Sequence, residues 1–178
     1  TSSLNNAFKD CLLLNSDGAW EDWDTSSISN MQQTFDNCQN FNGDISGWNT
    51  TNVTTMKEML KGCATFDQNL GNFDMSSLVD LYGIFDGVSA MSVDNFDATI
   101  IGWGTDNSGT EGDGIDDIPN FISMGTQTPK LCKALNVAIS LRNYYNWAID
   151  SNNTNTDCDN DDIAFIFKIS VDSSNPSF

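Results

Sequence analysis

The 178 residues carry 25 acidic against 7 basic side chains, a formal charge of −18. Such a chain repels a phosphate backbone and an anionic membrane surface, which argues against nucleic-acid binding and membrane association. There is no histidine, so the commonest general base and the commonest transition-metal ligand are missing, and no apolar run approaches the ~20 residues that span a bilayer.

Apolar residues make up 39% of the chain and charged residues only 18%. The rest of the polar share is Ser, Thr and Asn, residues of turns and short hydrogen-bonded segments. In chain order, the first recognisable stretch is "SLNNAFKDCLLL". Shifted by 27 it matches "NMQQTFDNCQNF", which aligns Leu4 with Met31, Phe8 with Phe35, Cys11 with Cys38 and Leu14 with Phe41. An array entered in mid-unit exposes a core edge. The expectation is that the natural protein continues upstream or that a partner covers this end.

Two full units of 25 residues follow, with a third that degrades near Asn95. Trp23, Trp48 and Phe73 correspond, as do Ile28, Val53 and Leu78; Met31, Met56 and Leu81; and Phe35, Leu60 and Phe85. Cys38, Cys63 and Val88 continue the series, then Phe41, Phe66 and Met91, and Ile45 pairs with Leu70. A fixed period of this length signals stacked supersecondary units. The spacings 31, 35, 38 and 56, 59, 60, 63 follow a helical face and predict one helix of about two turns per unit, with Ser29 and Thr54 as N-caps. The segments 44–48 and 50–54 are extended in character and predict short parallel strands. Asn42-Gly43 and Gly71-Asn72 mark turns.

After the repeats comes the acidic stretch "TDNSGTEGDGIDD". Beyond it, Thr128-Pro129 reads as an N-cap followed by proline at the first helical position. Leu131, Leu135, Ala138, Arg142 and Tyr145 then predict a helix ending near Asn146, whose apolar side shields the last coil. The tail closes with "IAFIFKISV", a β-strand by composition. It has three readings: pairing with the solenoid edge, opening a further domain, or adding to a neighbouring molecule. The second is preferred. The expected organisation is 1–103 repeats, 104–158 acidic loop and cap, and 159–178 linker and strand.

The units "WDTSSISNMQQTFDNCQNFNGDIS" and "WNTTNVTTMKEMLKGCATFDQNL" resemble the repeat of BspA-type leucine-rich repeat surface proteins, also catalogued as the DUF285 repeat. The third copy looks like the family's terminal repeat, and "IPNFISMGTQTPKLCKALNVAISLRNYYNWAI" resembles the segment that closes such arrays. The resemblance covers roughly residues 1–158. It implies an α/β repeat fold: a short right-handed, leucine-rich-repeat-like solenoid with a helical C-terminal cap, on secreted or surface-anchored proteins, with adhesion or host recognition as the usual role. It supplies no catalytic motif.

Five cysteines are present. Cys11, Cys38 and Cys63 lie on the repeat column, where buried thiols compete with disulfides between adjacent coils. Cys132 and Cys158 bracket the cap, and a disulfide between them is expected, in keeping with an oxidising compartment. Hard oxygen ligands among glycines make Asp106, Ser108, Thr110, Glu111, Asp113, Asp116 and Asp117 a candidate calcium loop. The full pattern of an EF-hand is missing there, and a solvated insertion is the plainer alternative. A weaker second candidate is "DCDNDD" at 157–162.

The Trp23–Trp48–Phe73 column reads as core spine or as a sugar-stacking platform. Thr25 and Thr50 align, as do Ser26, Thr51 and Ser76, then Ser27, Asn52 and Ser77. Regular hydroxyls on a flat face suit protein or glycan binding, against ordinary turn chemistry. The expected function is a non-enzymatic, extracellular or cell-surface recognition and adhesion module. Its alternative is a structural spacer or self-associating building block of a long surface protein or filament. The partners are then a protein or glycan, neighbouring domains or further copies, with calcium as the one candidate cofactor.

Overall fold

The computed structural model describes residues 2–105, 118–125 and 131–149. The chain there is mostly irregular, with two short helices and a small parallel sheet. In order these are β1 (Ser2–Ser3), a 3₁₀ turn (Trp20–Asp22), β2 (Ile28–Asn30), α1 (Val93–Trp103) and α2 (Leu135–Tyr144). β1 pairs parallel with β2 through Ser2–Ile28 and Ser3–Asn30. Isolated parallel bridges Asn30–Thr55 and Thr55–Asp80 extend the same row. Successive 25-residue units, called rungs below, therefore lie side by side in one direction. Pairing falls at 28–30, 55 and 80. The segment 44–48, expected to be a strand, is a turn in which the Trp48 amide donates to the Ile45 carbonyl.

The predicted helix in each rung is replaced by consecutive tight turns. Within a rung the amides of Thr34, Asp36 and Cys38 donate to the carbonyls three residues back, those of Met31, Gln33 and Phe35. Between them, the amides of Gln33, Phe35 and Asn37 donate across to Lys57, Met59 and Lys61 on the next rung, at 2.9, 2.9 and 2.7 Å. A right-handed helix needs negative φ throughout. Here Gln33 and Asn37 sit at φ 53° and 63°, Glu58 and Gly62 at 52° and 71°, and Gly83 and Gly87 at 69° and 77°. Turns that reverse at every fourth residue bring positions 31, 35 and 38 to one side much as a helix would, which is why the apolar spacing looks helical. Ser29 and Thr54 are not N-caps: the Thr54 amide and hydroxyl both donate to the Ser29 carbonyl and tie two rungs together.

The aligned apolar residues converge on one core. Met31, Met56 and Leu81 are fully buried, as are Phe35, Leu60 and Phe85, and Phe41 and Phe66. Phe35 stacks on Phe41 with ring centroids 4.0 Å apart, and Phe41 on Phe66 at 6.0 Å. Each such side chain contributes about 1.5–3 kcal/mol relative to exposure. On the first rung Leu4, Phe8 and Leu14 are only partly buried. Trp20, 25 residues before Ile45 and 50 before Leu70, fills the matching place against Phe8, Phe35 and Phe41.

Helix α1 replaces the continuation of the third unit, and the apolar pattern did not announce it. Its N-cap Ser92 accepts from the Asn95 amide. One oxygen of Asp67 accepts from the Ser92 amide and hydroxyl and from Asn95 Nδ2. Phe96, Ile100 and Trp103 are buried, with Trp103 stacked on Phe85. The helix backbone approaches the turn before Asn72 so closely that a Cβ on Gly102 would lie 2.2 Å from the Gly71 carbonyl. The ladder then resumes beyond the acidic stretch: the Gly83 amide donates to Met124, and the Met124 amide to Ala148. Helix α2 begins at Leu135, and Thr128-Pro129 lies outside the described residues. Ala138 and Leu141 are buried, and Val137 and Leu141 crowd Gly104 at the end of α1. The cap thus packs on α1, which itself packs on the rungs.

Candidate functional site

The columns of Ser, Thr and Asn fall into two classes. Thr25 and Thr50, expected on the binding face, are instead buried, at 2% and 1% exposed. Each donates from Oγ1 to a main-chain carbonyl of the next rung, Thr25 to Asn49 and Thr50 to Asp74, both at 3.0 Å. They hold rungs together and are unavailable to a ligand. Ser26, Thr51 and Ser76 are exposed, and so are Ser27, Asn52 and Ser77. These six residues form one face.

A side chain two residues earlier fixes each turn of that face. The amides of Ser26, Thr51 and Ser76 donate to Oδ1 of Asp24, Asn49 and Asp74 at 3.0, 3.1 and 2.9 Å. The Ser26 and Ser76 hydroxyls donate to the same carboxylates, and Asn52 Nδ2 donates to the Ser26 carbonyl. Local side-chain bonds of this kind stiffen a turn. At Ser26 and Ser76 they also consume the hydroxyl proton, and the Asp24 and Asp74 carboxylates add acceptors to the face. The Ser26 hydroxyl and amide hold the Asp24 carboxyl below its ordinary range. Burial pushes the Asp74 carboxyl up, but bonds from Ser76 and Thr51 outweigh it and leave the group below that range. Both carboxylates are therefore charged at neutral pH.

At its third rung the face meets a cleft of about 420 Å³ lined by Gly71, Asn72, Phe73, Asp74, Met75, Gly102, Trp103 and Thr105. The cleft exists because α1 lies across the third rung, so a reading confined to the repeats did not contain it. The aromatic column contributes little surface. Trp48 and Phe73 are 2% and 3% exposed, whereas Trp23 is 39% exposed and stacks on Trp48 at 6.0 Å.

The proposed calcium ligands Asp106, Ser108, Thr110, Glu111, Asp113, Asp116 and Asp117 lie outside the described residues, as do 157–162 and the terminal strand. Among the described residues no group of three His, Cys, Asp or Glu side chains is placed to hold a metal ion, and no helix is long and apolar enough to cross a membrane. Cys132 is disulfide-bonded; its expected partner, Cys158, lies outside the described residues. Cys11 is exposed, and Cys38 and Cys63 are buried free thiols that donate to the Phe8 and Phe35 carbonyls. Burial pushes the Cys38 thiol up to about 11 and raises Cys63 further, which suits packing and not nucleophilic chemistry.

Residues 2–113 match the family profile described as "Mycoplasma protein of unknown function, DUF285". No curated protein and no solved structure shows significant similarity to the chain. The matched region holds the partial first rung, the two full ones, the third and α1, more than half of the chain, and on that ground the protein belongs to the DUF285 family.

Proposed function

We propose that the protein is a non-enzymatic recognition module built as a short, right-handed, leucine-rich-repeat-like solenoid of the BspA type, working outside the cell or at its surface. The observation that carries this reading is the face of Ser26, Thr51, Ser76, Ser27, Asn52 and Ser77. Exposed polar side chains recur there at two adjacent positions per rung, and the hydrogen bonds that Asp24, Asn49 and Asp74 accept make it stiff before any ligand arrives. Preorganisation lowers the entropy cost of binding. A face rich in acceptors, on a chain of charge −18, suits a protein or glycan that brings donors or positive charge. The buried, unreactive thiols and the absence of histidine give chemistry little to work with, in line with binding instead of catalysis.

The test is binding of the chain to immobilised extracellular-matrix proteins and to a glycan array, with Thr51→Arg and Ser76→Arg variants alongside. Both positions are exposed, so the melting temperature should stay within a degree or two while binding falls at least tenfold. Unchanged binding by both variants would place the site elsewhere. A second reading, a structural building block of a larger assembly, is favoured by the half-covered Leu4, Phe8 and Leu14 on the first rung.

A further inference from the structure

Along the turn segments each interface between rungs has the same polarity. Amides of Asn6, Phe8 and Asp10 donate to carbonyls of Gln32, Thr34 and Asp36; those of Gln33, Phe35 and Asn37 to Lys57, Met59 and Lys61; and those of Glu58, Leu60 and Gly62 to Tyr82, Ile84 and Asp86. Along these turns one side of each rung presents donors and the other acceptors, whereas in the flanking segments the Thr54 and Val79 amides donate the opposite way, to Ser29 and Thr54. On the first rung the equivalent acceptors are the carbonyls of Asn5, Ala7 and Lys9. They receive no hydrogen bond from the described residues.

Two further observations single out this edge. Leu4, Phe8 and Leu14 are partly buried, whereas Met31, Phe35 and Phe41 at the same places one rung later are fully buried. Leu12 and Leu13 beside them are 47% and 90% exposed. The charges also follow a rule. Lys9, Asp36, Lys61 and Asp86 occupy one column, and their signs alternate from rung to rung. Lys9 Nζ binds Asp36 Oδ2 at 2.5 Å; Lys61 Nζ pairs first with Glu58 Oε1 on its own rung at 2.7 Å, and the charges of Asp36 and Asp86 add smaller contributions. At the open edge the column ends on Lys9, whose side chain is 35% exposed.

We propose that this edge is a docking surface for one more rung of the same repeat type, with an acidic residue over Lys9. The occupant supplies three amides in a row to Asn5, Ala7 and Lys9, apolar cover for Leu4, Phe8 and Leu14, and the next negative charge of the column. A second copy placed edge to edge does not fit. Acceptors would face acceptors and Lys9 would face Lys9, an unfavourable like-charge contact. The proposal rests on the stacked-repeat reading above.

The experiment adds the rung to the full chain. A copy of residues 29–53 placed directly before Ser2 keeps the register, because Ser2 then follows it as Thr54 follows Val53, and it sets a copy of Asp36 over Lys9. A copy of 54–78 is equally in register but sets a copy of Lys61 over Lys9. The first fusion should raise the melting temperature by about 3 °C or more, and the amides of the copied Gln33, Phe35 and Asn37 should exchange slowly. The second should gain less, and Lys61→Asp within the copy should restore the difference. No gain from either fusion, equal gains from both, or a parent chain that sediments as a dimer broken by Leu13→Asp would overturn the proposal. Hydrogen exchange in the parent separates this from failure of the stack itself. Protected Phe35 and Leu60 amides with no gain on fusion reject the docking edge alone, and unprotected ones reject the stacked repeats.

Discussion

Asp97 shows how much one side chain organises here. It is 2% exposed, and its carboxylate accepts from the amides of Cys132, Lys133 and Ala134 at 2.9, 2.6 and 3.2 Å. The first amides of a helix have no partner inside it, and Ala134, at the N-cap of α2, has no side chain that could serve. A carboxylate some 35 residues earlier in the sequence does so instead and fixes α2 against α1. Asp97→Ala leaves the Cys132 and Ala134 amides buried without this acceptor and should cost about 2–4 kcal/mol, read as a lower urea midpoint at unchanged slope. A loss under about 0.5 kcal/mol would mean that water replaces the carboxylate. The stretch "NFDATIIGW" gives no local sign of this duty, because the partner amides belong to another element.

At the scale of elements, the turn ladder accounts for the pattern mistaken for helix. Positions 6, 33, 58 and 83 and positions 10, 37, 62 and 87 all have positive φ, a region costly to most side chains and easiest for glycine and asparagine. Asn37 and Gly62 occupy the same place on neighbouring rungs. Gly62→Asn should therefore be tolerated to within about 0.5 kcal/mol. Gly62→Val should cost about 2 kcal/mol or more, since a β-branched residue is poorly accommodated at φ 71° and a Cβ there would lie 3.3 Å from the Asn37 Cα. Thermal melts of the two variants check the contrast, and equal stability would rule out the turn. The recurrence of Asn, Asp and Gly at six of these eight places, with Gln33 and Glu58 at the other two, was visible in the sequence. Its meaning was not, because a left-handed residue matters only once the neighbouring amides are seen to point along the stack.

For the whole molecule, acidity and hydrogen bonding pull in opposite directions. The Asp24, Glu58, Asp67 and Asp74 carboxyls all lie below their ordinary values of 3.8 for Asp and 4.5 for Glu. A bond from Lys61, with another from Gln33, holds Glu58 down; bonds from Ser92 and Asn95 overcome burial at Asp67. A carboxyl lowered in the folded state contributes stability that is full above its unfolded value and lost as pH falls through its folded one. These groups should therefore leave the melting temperature flat from pH 7 to about 5 and lower it progressively below about 4. At pH 7 the charge of −18 repels itself, so added sodium chloride should raise the melting temperature. A melt insensitive to salt would show that the charges are too far apart to matter. By itself the sequence determined the 25-residue period, which side chains share the core column and the sign of the molecule's field, because these depend only on the order and spacing of residue types. Tertiary structure alone decided that the repeating units are turns and not helices, that Thr25 and Thr50 face inward, that α1 closes the third rung and opens a cleft, and that Asp97 caps α2. Each of these depends on a hydrogen bond or close packing between residues some 25 or more positions apart, and such partners exist only after the rungs have stacked.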